Sequence, residues 1–232
     1  SVMWAFKNLY DKGLVYEDFK TMHISPPLET PLSNFEVNQN YKDIVDISVY
    51  VKFELVDEPN TFLVAWTTTP WTLPGNVAVA VGAEIDYVKV AYTPKDGKEG
   101  LYVVAKDRLA HVFKNKEYVV KEEMKGATFV GKSYKPGFDY YSKNTELENH
   151  ANGWKVYAAD FVTTVDGSGI VHEATAFGEV DLELGKANNL PFIQHVNIDG
   201  TIKSEVTDFA GRQAKPKATK ENPNAHQETD IE

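Results

Sequence analysis

The chain has 232 residues, of which 42% are hydrophobic and 25% charged, enough apolar matter for a packed core in one large domain. Its 24 basic residues against 34 acidic ones leave a net charge of −10, which excludes a general nucleic-acid binder working through its own field. There is no cysteine, hence no disulfide framework and no thiolate chemistry, and no apolar run approaches the roughly 18 residues of a membrane span or reads as a signal or transit peptide.

Val2, Phe6 and Leu9 share one helical face and Gly13 is a natural stop, so a short amphipathic helix is expected first. Residues 49–55 have strand character, Asp57-Glu58-Pro59-Asn60 supplies a turn, and 62–66 form the next strand, which runs into three threonines. Pro70 and Pro74 remove backbone donors and are expected to hold the following segment extended. Residues 77–81 and 87–92 are further strands, and Pro94-Lys95-Asp96-Gly97-Lys98 has hairpin chemistry before a strand at 101–104. A short helix is expected over 107–113, strands over 118–120, 154–157 and 169–172, and a helix over 181–188. A strand over 192–196 and a hairpin at Asn197-Ile198-Asp199-Gly200 follow. Many short strands and few helices predict an α+β domain with a β-barrel-like core and peripheral helices. Residues 212–225, rich in Lys, Asn and Pro, read as a mobile surface loop, and 226–232 as the start of another helix. The expected organisation is a leading flank over 1–40, the barrel-like core over 41–211, and a loop with a second flank over 212–232. Both ends read as cut from something larger.

Two stretches carry chemistry. In Thr67-Thr68-Thr69-Pro70-Trp71-Thr72-Leu73-Pro74-Gly75-Asn76, four hydroxyls, a carboxamide and two prolines fall within ten residues after an apolar strand. A strand ending in threonines presents hydroxyls on both faces, a rigid uncharged surface able to hold a water and a small polar ligand. A threonine triplet alone also fits an ordinary strand edge. About a hundred residues downstream, Gly167-Ser168-Gly169-Ile170-Val171-His172-Glu173-Ala174-Thr175-Ala176-Phe177-Gly178-Glu179-Val180-Asp181 passes from a glycine turn through a buried strand to an acid at a helix start. Alone, His172 reads as a structural histidine and Asp181 as a first-turn acid favoured by the helix dipole. His172, Glu173, Glu179 and Asp181 lack any standard metal-ligand spacing.

Together these stretches resemble the editing domain of isoleucyl-tRNA synthetase. The resemblance extends to Tyr10-Asp11-Lys12-Gly13-Leu14-Val15-Tyr16 and Glu29-Thr30-Pro31-Leu32-Ser33-Asn34-Phe35-Glu36-Val37 near the start. Near the end it includes Asp208-Phe209-Ala210-Gly211 and Thr229-Asp230-Ile231. Related valyl and leucyl enzymes carry an Arg-Pro variant after the threonines, so Thr69-Pro70-Trp71-Thr72 favours the isoleucyl family. The family commonly has Pro where Thr175 stands, an apolar residue or Gln for Glu173, and Asp for Val180. Cysteine and aromatic residues are common where this chain has His23-Ile24-Ser25-Pro26-Pro27. The loss of proline is expected to loosen the loop carrying Asp181.

The resemblance implies an ester hydrolase acting on valine misattached to the 3′-terminal adenosine of tRNA(Ile). Isoleucine and valine differ by one methylene, worth only about 1–3 kcal/mol to a binding pocket, a limit for which the isoleucyl enzyme is itself the standard example; a second sieve is the remedy. By position, Thr67, Thr68, Thr69 and Asp181 are the expected catalytic set, with Trp71, Thr72, Asn76, His172 and Asp181 binding substrate. Asp181 would pair with the substrate ammonium, His172 limit the space beyond the valine side chain, and the threonines position water and adenosine. Asn76 would shape the loop or hold the ester. No threonine has an evident base, which favours a positioned water over an acyl-threonine. The implied partners are the tRNA end and the rest of a synthetase chain, with no membrane. The implied location is cytoplasmic, with no metal and no cofactor in this domain. ATP belongs to the full-length synthetase, whose His-x-Gly-His and Lys-Met-Ser-Lys-Ser type motifs the sequence lacks. Two other readings remain open: a catalytically decayed module docking a tRNA end or a protein, and a free-standing deacylase.

Overall fold

A computed structural model describes residues 1–41, 43, 45–95 and 97–215. In chain order the elements are α1 (Val2–Asp11), β1 (Ile24–Ser25), β2 (Thr30–Pro31), α2 (Asn34–Val37), β3 (Val49–Leu55) and β4 (Thr61–Thr67). A 3₁₀ turn at Pro70–Gly75 precedes β5 (Ala78–Val81), β6 (Asp86–Tyr92), β7 (Gly100–Ala105), α3 (Leu109–Val112) and β8 (Tyr118–Lys125). Then come β9 (Tyr134–Lys135), β10 (Lys155–Ala158), β11 (Ile170–Glu173) and α4 (Glu179–Asn188).

Six strands form a mixed sheet in the order β8-β6-β7-β4-β3-β9, in which β4 and β7 are parallel and the other neighbours antiparallel. Strand periodicity sorts its side chains. Leu63, Ala65, Val103 and Ala105 turn to the main core, while Val64, Tyr102 and Val104 turn to a second cluster capped by Val112 and Phe113 around α3. β5 lies at the centre of a three-stranded sheet, parallel to β10 and antiparallel to β11, and all four of its residues are fully buried. Val79 and Val81 face the main core, while Ala80 packs with Leu184 of α4. That second contact fixes α4 against the back of the small sheet.

The protein is thus α+β with two principal sheets, and no closed barrel forms among the described residues. The sheets are tied by isolated bonds: Tyr134 N–H to Trp154 O (3.1 Å), Val156 N–H to Lys132 O (2.9 Å) and Ala105 N–H to Ser168 O (2.8 Å). A two-residue β9 and a four-residue β11 are too short to carry a continuous ladder around the core.

Several expectations need correction. The segment after the threonines is a 3₁₀ turn, not extended. Pro70 sits in its first turn, where a fixed φ suits a helix start and a missing N–H costs little. Thr69, held at φ −125° and ψ 65° before the proline, is where the chain turns. Only an isolated bridge, Val196 to Ile202, forms in the region expected to hold a strand at 192–196. Ile193 and His195 are buried by packing instead. β8 runs five residues beyond the expected 118–120, because an edge strand tolerates the charged run Lys121-Glu122-Glu123 that masked it. The first residues of the expected mobile loop are pinned: Gln213 bridges Thr201, Ala214 N–H bonds Gly200 O at 2.9 Å, and Ala214 is buried. The rest of that loop, the expected terminal helix and Thr229-Asp230-Ile231 lie outside the described residues. The first helix is present, but none of its residues is buried.

Candidate active site

The threonine run leaves the sheet at the end of β4. Thr67 is buried, and its Oγ1 accepts the Thr69 N–H (3.0 Å) and lies 3.2 Å from Thr69 Oγ1. Thr68 and Thr69 are exposed. Thr72 is buried in the 3₁₀ turn, where its hydroxyl donates to Thr69 O at 2.8 Å and so ties the turn to the run.

β11 pairs His172 with Val79 and brings its ring to this turn. His172 Nε2 lies 2.9 Å from Thr72 Oγ1, and Nδ1 lies 2.9 Å from Asn76 Nδ2. Asn76 Nδ2 also donates to Ala78 O (2.9 Å), while its Oδ1 accepts from Tyr134 Oη (2.6 Å). Reversing the amide would set Oδ1 against the Ala78 carbonyl, so the network fixes both the amide and the tautomer. Nδ1 accepts from Asn76, Nε2–H donates to Thr72, and the Thr72 hydroxyl passes its proton's bond on to Thr69 O. Burial, reinforced by the nearby His195 imidazole, pulls the His172 pKa down to about 3. The ring is therefore neutral and has no free lone pair.

Asp181 stands in the first turn of α4, half-buried, with Oδ2 accepting the Ala174 N–H at 3.3 Å. Burial raises its pKa, opposed by the Glu173 carboxyl and the Ala174 amide. A Cβ at Gly178 would meet Asp181 Oδ2 at 2.7 Å, so any side chain there would push this carboxylate from its place. The loop between them is firm. Thr175 is buried and its hydroxyl donates to Pro191 O at 2.8 Å, which anchors the segment without the proline whose absence was expected to loosen it.

These groups meet at a cavity of about 340 Å³. Thr67, Thr68, Thr69, Thr72, His172 and Asp181 all line it; Trp71 and Asn76 do not. Asn76 acts from behind, on the imidazole. Trp71 packs edge-on against Phe177 with ring centroids 5.3 Å apart, and Phe177 is the cavity wall. The Trp71 carbonyl accepts a bond from His195 Nε2 (2.9 Å), a fully buried imidazole whose pKa burial lowers to about 4.

Sequence reading missed Trp66, Phe161, Thr163, Asp166 and Phe177 as lining residues. The signal for part of this wall was the Gly-Ser-Gly turn. Gly167 and Gly169 have φ of +66° and +77°, and a Cβ on Gly169 would lie 2.3 Å from Ala105 Cβ. Arg108 pins the same turn, with Nε to Gly167 O at 2.9 Å and a terminal nitrogen to Val165 O at 3.0 Å. Among the described residues no group of three or more His, Asp or Glu side chains is placed to hold a metal ion, and no helix is long and apolar enough to cross a membrane.

Against known proteins, residues 1–220 match the family model of the class I tRNA synthetases (I, L, M and V). The chain belongs to that family. It is 42% identical over 217 residues to an isoleucine–tRNA ligase of Bdellovibrio bacteriovorus, covering 93% of this chain and 20% of the relative. It is 44% identical over 224 residues to the cytoplasmic isoleucine–tRNA ligase of Mus musculus, covering 93% and 17%. The chain thus spans about a fifth of the length of the curated relatives it matches. Among solved structures, the crystal structure of GlLeuRS-CP1 has 15% sequence identity and a TM-score of 0.49, covering 60% of this chain and 59% of that one. The resemblance read from the two motifs is borne out by the isoleucine–tRNA ligases.

Proposed function

We propose that the chain is the editing module of an isoleucine–tRNA ligase and hydrolyses the ester joining misattached valine to the terminal adenosine of tRNA(Ile). The observation that carries this reading is one cavity drawing Thr67, Thr68, Thr69, Thr72, His172 and Asp181 from the end of β4, the 3₁₀ turn, β11 and α4. Asp181 binds the substrate ammonium by a charge-assisted hydrogen bond, and the arriving cation favours its anionic form. His172 is the steric wall. A neutral ring with both nitrogens engaged cannot act as a general base. Thr68 and Thr69 carry the accessible hydroxyls, which position the attacking water and hydrogen-bond the ester as its oxyanion develops, with Thr67 holding Thr69. Thr72 meets His172 only as the acceptor of its Nε2–H, and Thr67, Thr68 and Thr69 are bonded to no base, so the route is direct attack by water. Trp66 and Phe161 offer flat apolar surface to the adenine. Trp71 and Asn76 support the site from behind.

The remainder of the reading follows from the same module. Residues 1–40 are a flank to the rest of a synthetase chain, which fits an α1 that leaves Val2, Phe6 and Leu9 exposed. The core is a barrel-like wall opened between its two sheets, in keeping with the isolated bonds that tie them. Hydrolysis needs no cofactor; ATP serves the full-length ligase in the cytoplasm. The test is to mix the purified chain with valyl-tRNA(Ile) and isoleucyl-tRNA(Ile) and follow ester loss. Loss of the valyl ester alone is expected. A stable valyl ester on tRNA that nonetheless binds the chain would replace this reading with that of a docking module.

A further inference from the structure

Glu173 has no place in that mechanism, yet it is fully buried and neither of its carboxyl oxygens receives a hydrogen bond. It follows His172 on β11, so its side chain leaves the strand on the face away from the imidazole. It does not line the cavity. The ionisable groups packed around it are Asp181 from α4, the Tyr134 phenol from β9, and His172 beside it on β11. No basic side chain acts on it. Two carboxyls set together away from water cannot both ionise. Asp181 has the Ala174 N–H, the first turn of α4 and a face on the cavity to support a charge. Glu173 has none of these.

We propose that Glu173 is a positioning residue for Asp181: sealed behind the cavity as a neutral carboxylic acid, it turns its O–H to the Asp181 carboxylate and leaves that group the one buried anion facing the substrate. The energetics agree, since burial first and the Asp181 charge second push Glu173 up to about 10. A neutral acid here has the same donor and nearly the same shape as a glutamine amide, so the arrangement needs a donor at 173 rather than a charge.

Infrared spectroscopy of the chain decides where the proton is, whatever the chain hydrolyses. A protonated-carboxyl band is expected at pH 7.5, lost in Glu173→Gln and kept in Asp181→Asn. Absence of the band in the parent chain, or its loss in Asp181→Asn with retention in Glu173→Gln, would overturn the proposal. The activity arm rests on the editing function proposed above. Glu173→Leu should raise KM for valyl-tRNA(Ile) about tenfold, in line with a lost bond to a charged group, and Glu173→Gln should bring it back. An unchanged KM in Glu173→Leu would reduce Glu173 to packing. A chain with no hydrolysis but the expected infrared pattern would sink the editing function and leave the proton assignment standing.

Discussion

Replacing Glu173 by Gln should change how stability depends on pH, and the size of the change follows from the site. Unfolded, Glu173 ionises near its ordinary 4.5; folded, it holds its proton to about 10. Between those values the folded state binds one more proton than the unfolded, so this group makes stability fall as pH rises, by at most about 1.4 kcal/mol per pH unit. His172 and His195 act in the opposite sense. Their folded values lie near 3 and 4, below the ordinary 6.5, so the unfolded chain takes up protons first as pH drops. What they contribute is present above 6.5 and lost as pH falls through the interval below it. Above pH 6.5 the histidine slope fades, and it is the same in the parent and in Glu173→Gln, so the difference between the two proteins reports Glu173. From pH 6.5 to 8.5 the parent chain should lose about 2.8 kcal/mol through Glu173 alone, two pH units at about 1.4 each. Glu173→Gln keeps a neutral donor and removes the titration. Urea unfolding of both proteins at pH 6.5 and 8.5 measures the effect: the variant should gain on the parent by roughly that amount between the two. Two curves that stay parallel would refute a neutral buried Glu173, because a carboxylate ionised in both the folded and the unfolded chain carries no slope in this interval.

Three further outcomes test the site. Asp181→Ala should abolish most valyl-tRNA(Ile) hydrolysis while the circular dichroism spectrum persists; undiminished turnover at saturating substrate would remove Asp181 from ammonium binding. His172→Ala should open the wall to isoleucine, so that isoleucyl-tRNA(Ile) is hydrolysed and the preference for the valyl ester falls by about 10–200-fold, the worth of one methylene. Rate assays on both esters decide this, since loss of a general base would instead slow both by about 10²-fold or more. Asn76→Ala strips the partner from His172 Nδ1 and leaves Tyr134 Oη buried without an acceptor. Chemical denaturation should show a loss of about 2–4 kcal/mol, with part of the His172→Ala gain on the isoleucyl ester; a loss under about 0.5 kcal/mol would mean the relay is not formed.

The sequence by itself determined the local facts. Alternating apolar residues gave strands β3, β4, β6 and β7, because a pleated chain buried on one or both faces must repeat every two residues. The threonine run and the Gly-Ser-Gly-to-Asp181 stretch were legible because their residue types are tied to chemistry, and six of the eight site residues taken from them line one cavity. Pairing was not legible. β9 is two residues long and has no periodicity to show; it exists because Glu54 and Leu55 of β3 offer it an edge. The 3₁₀ turn was hidden because proline's missing donor argues against a helix interior but not against its first turn. Only the tertiary structure could turn Asn76 away from the cavity and onto the back of His172. It could do so because Tyr134, 58 residues later, supplies the donor that orients the amide. The same holds for Glu173. In sequence it is a charged residue beside a histidine, but with no exposure and Asp181 as its neighbour, desolvation outweighs its intrinsic acidity and makes it a neutral acid.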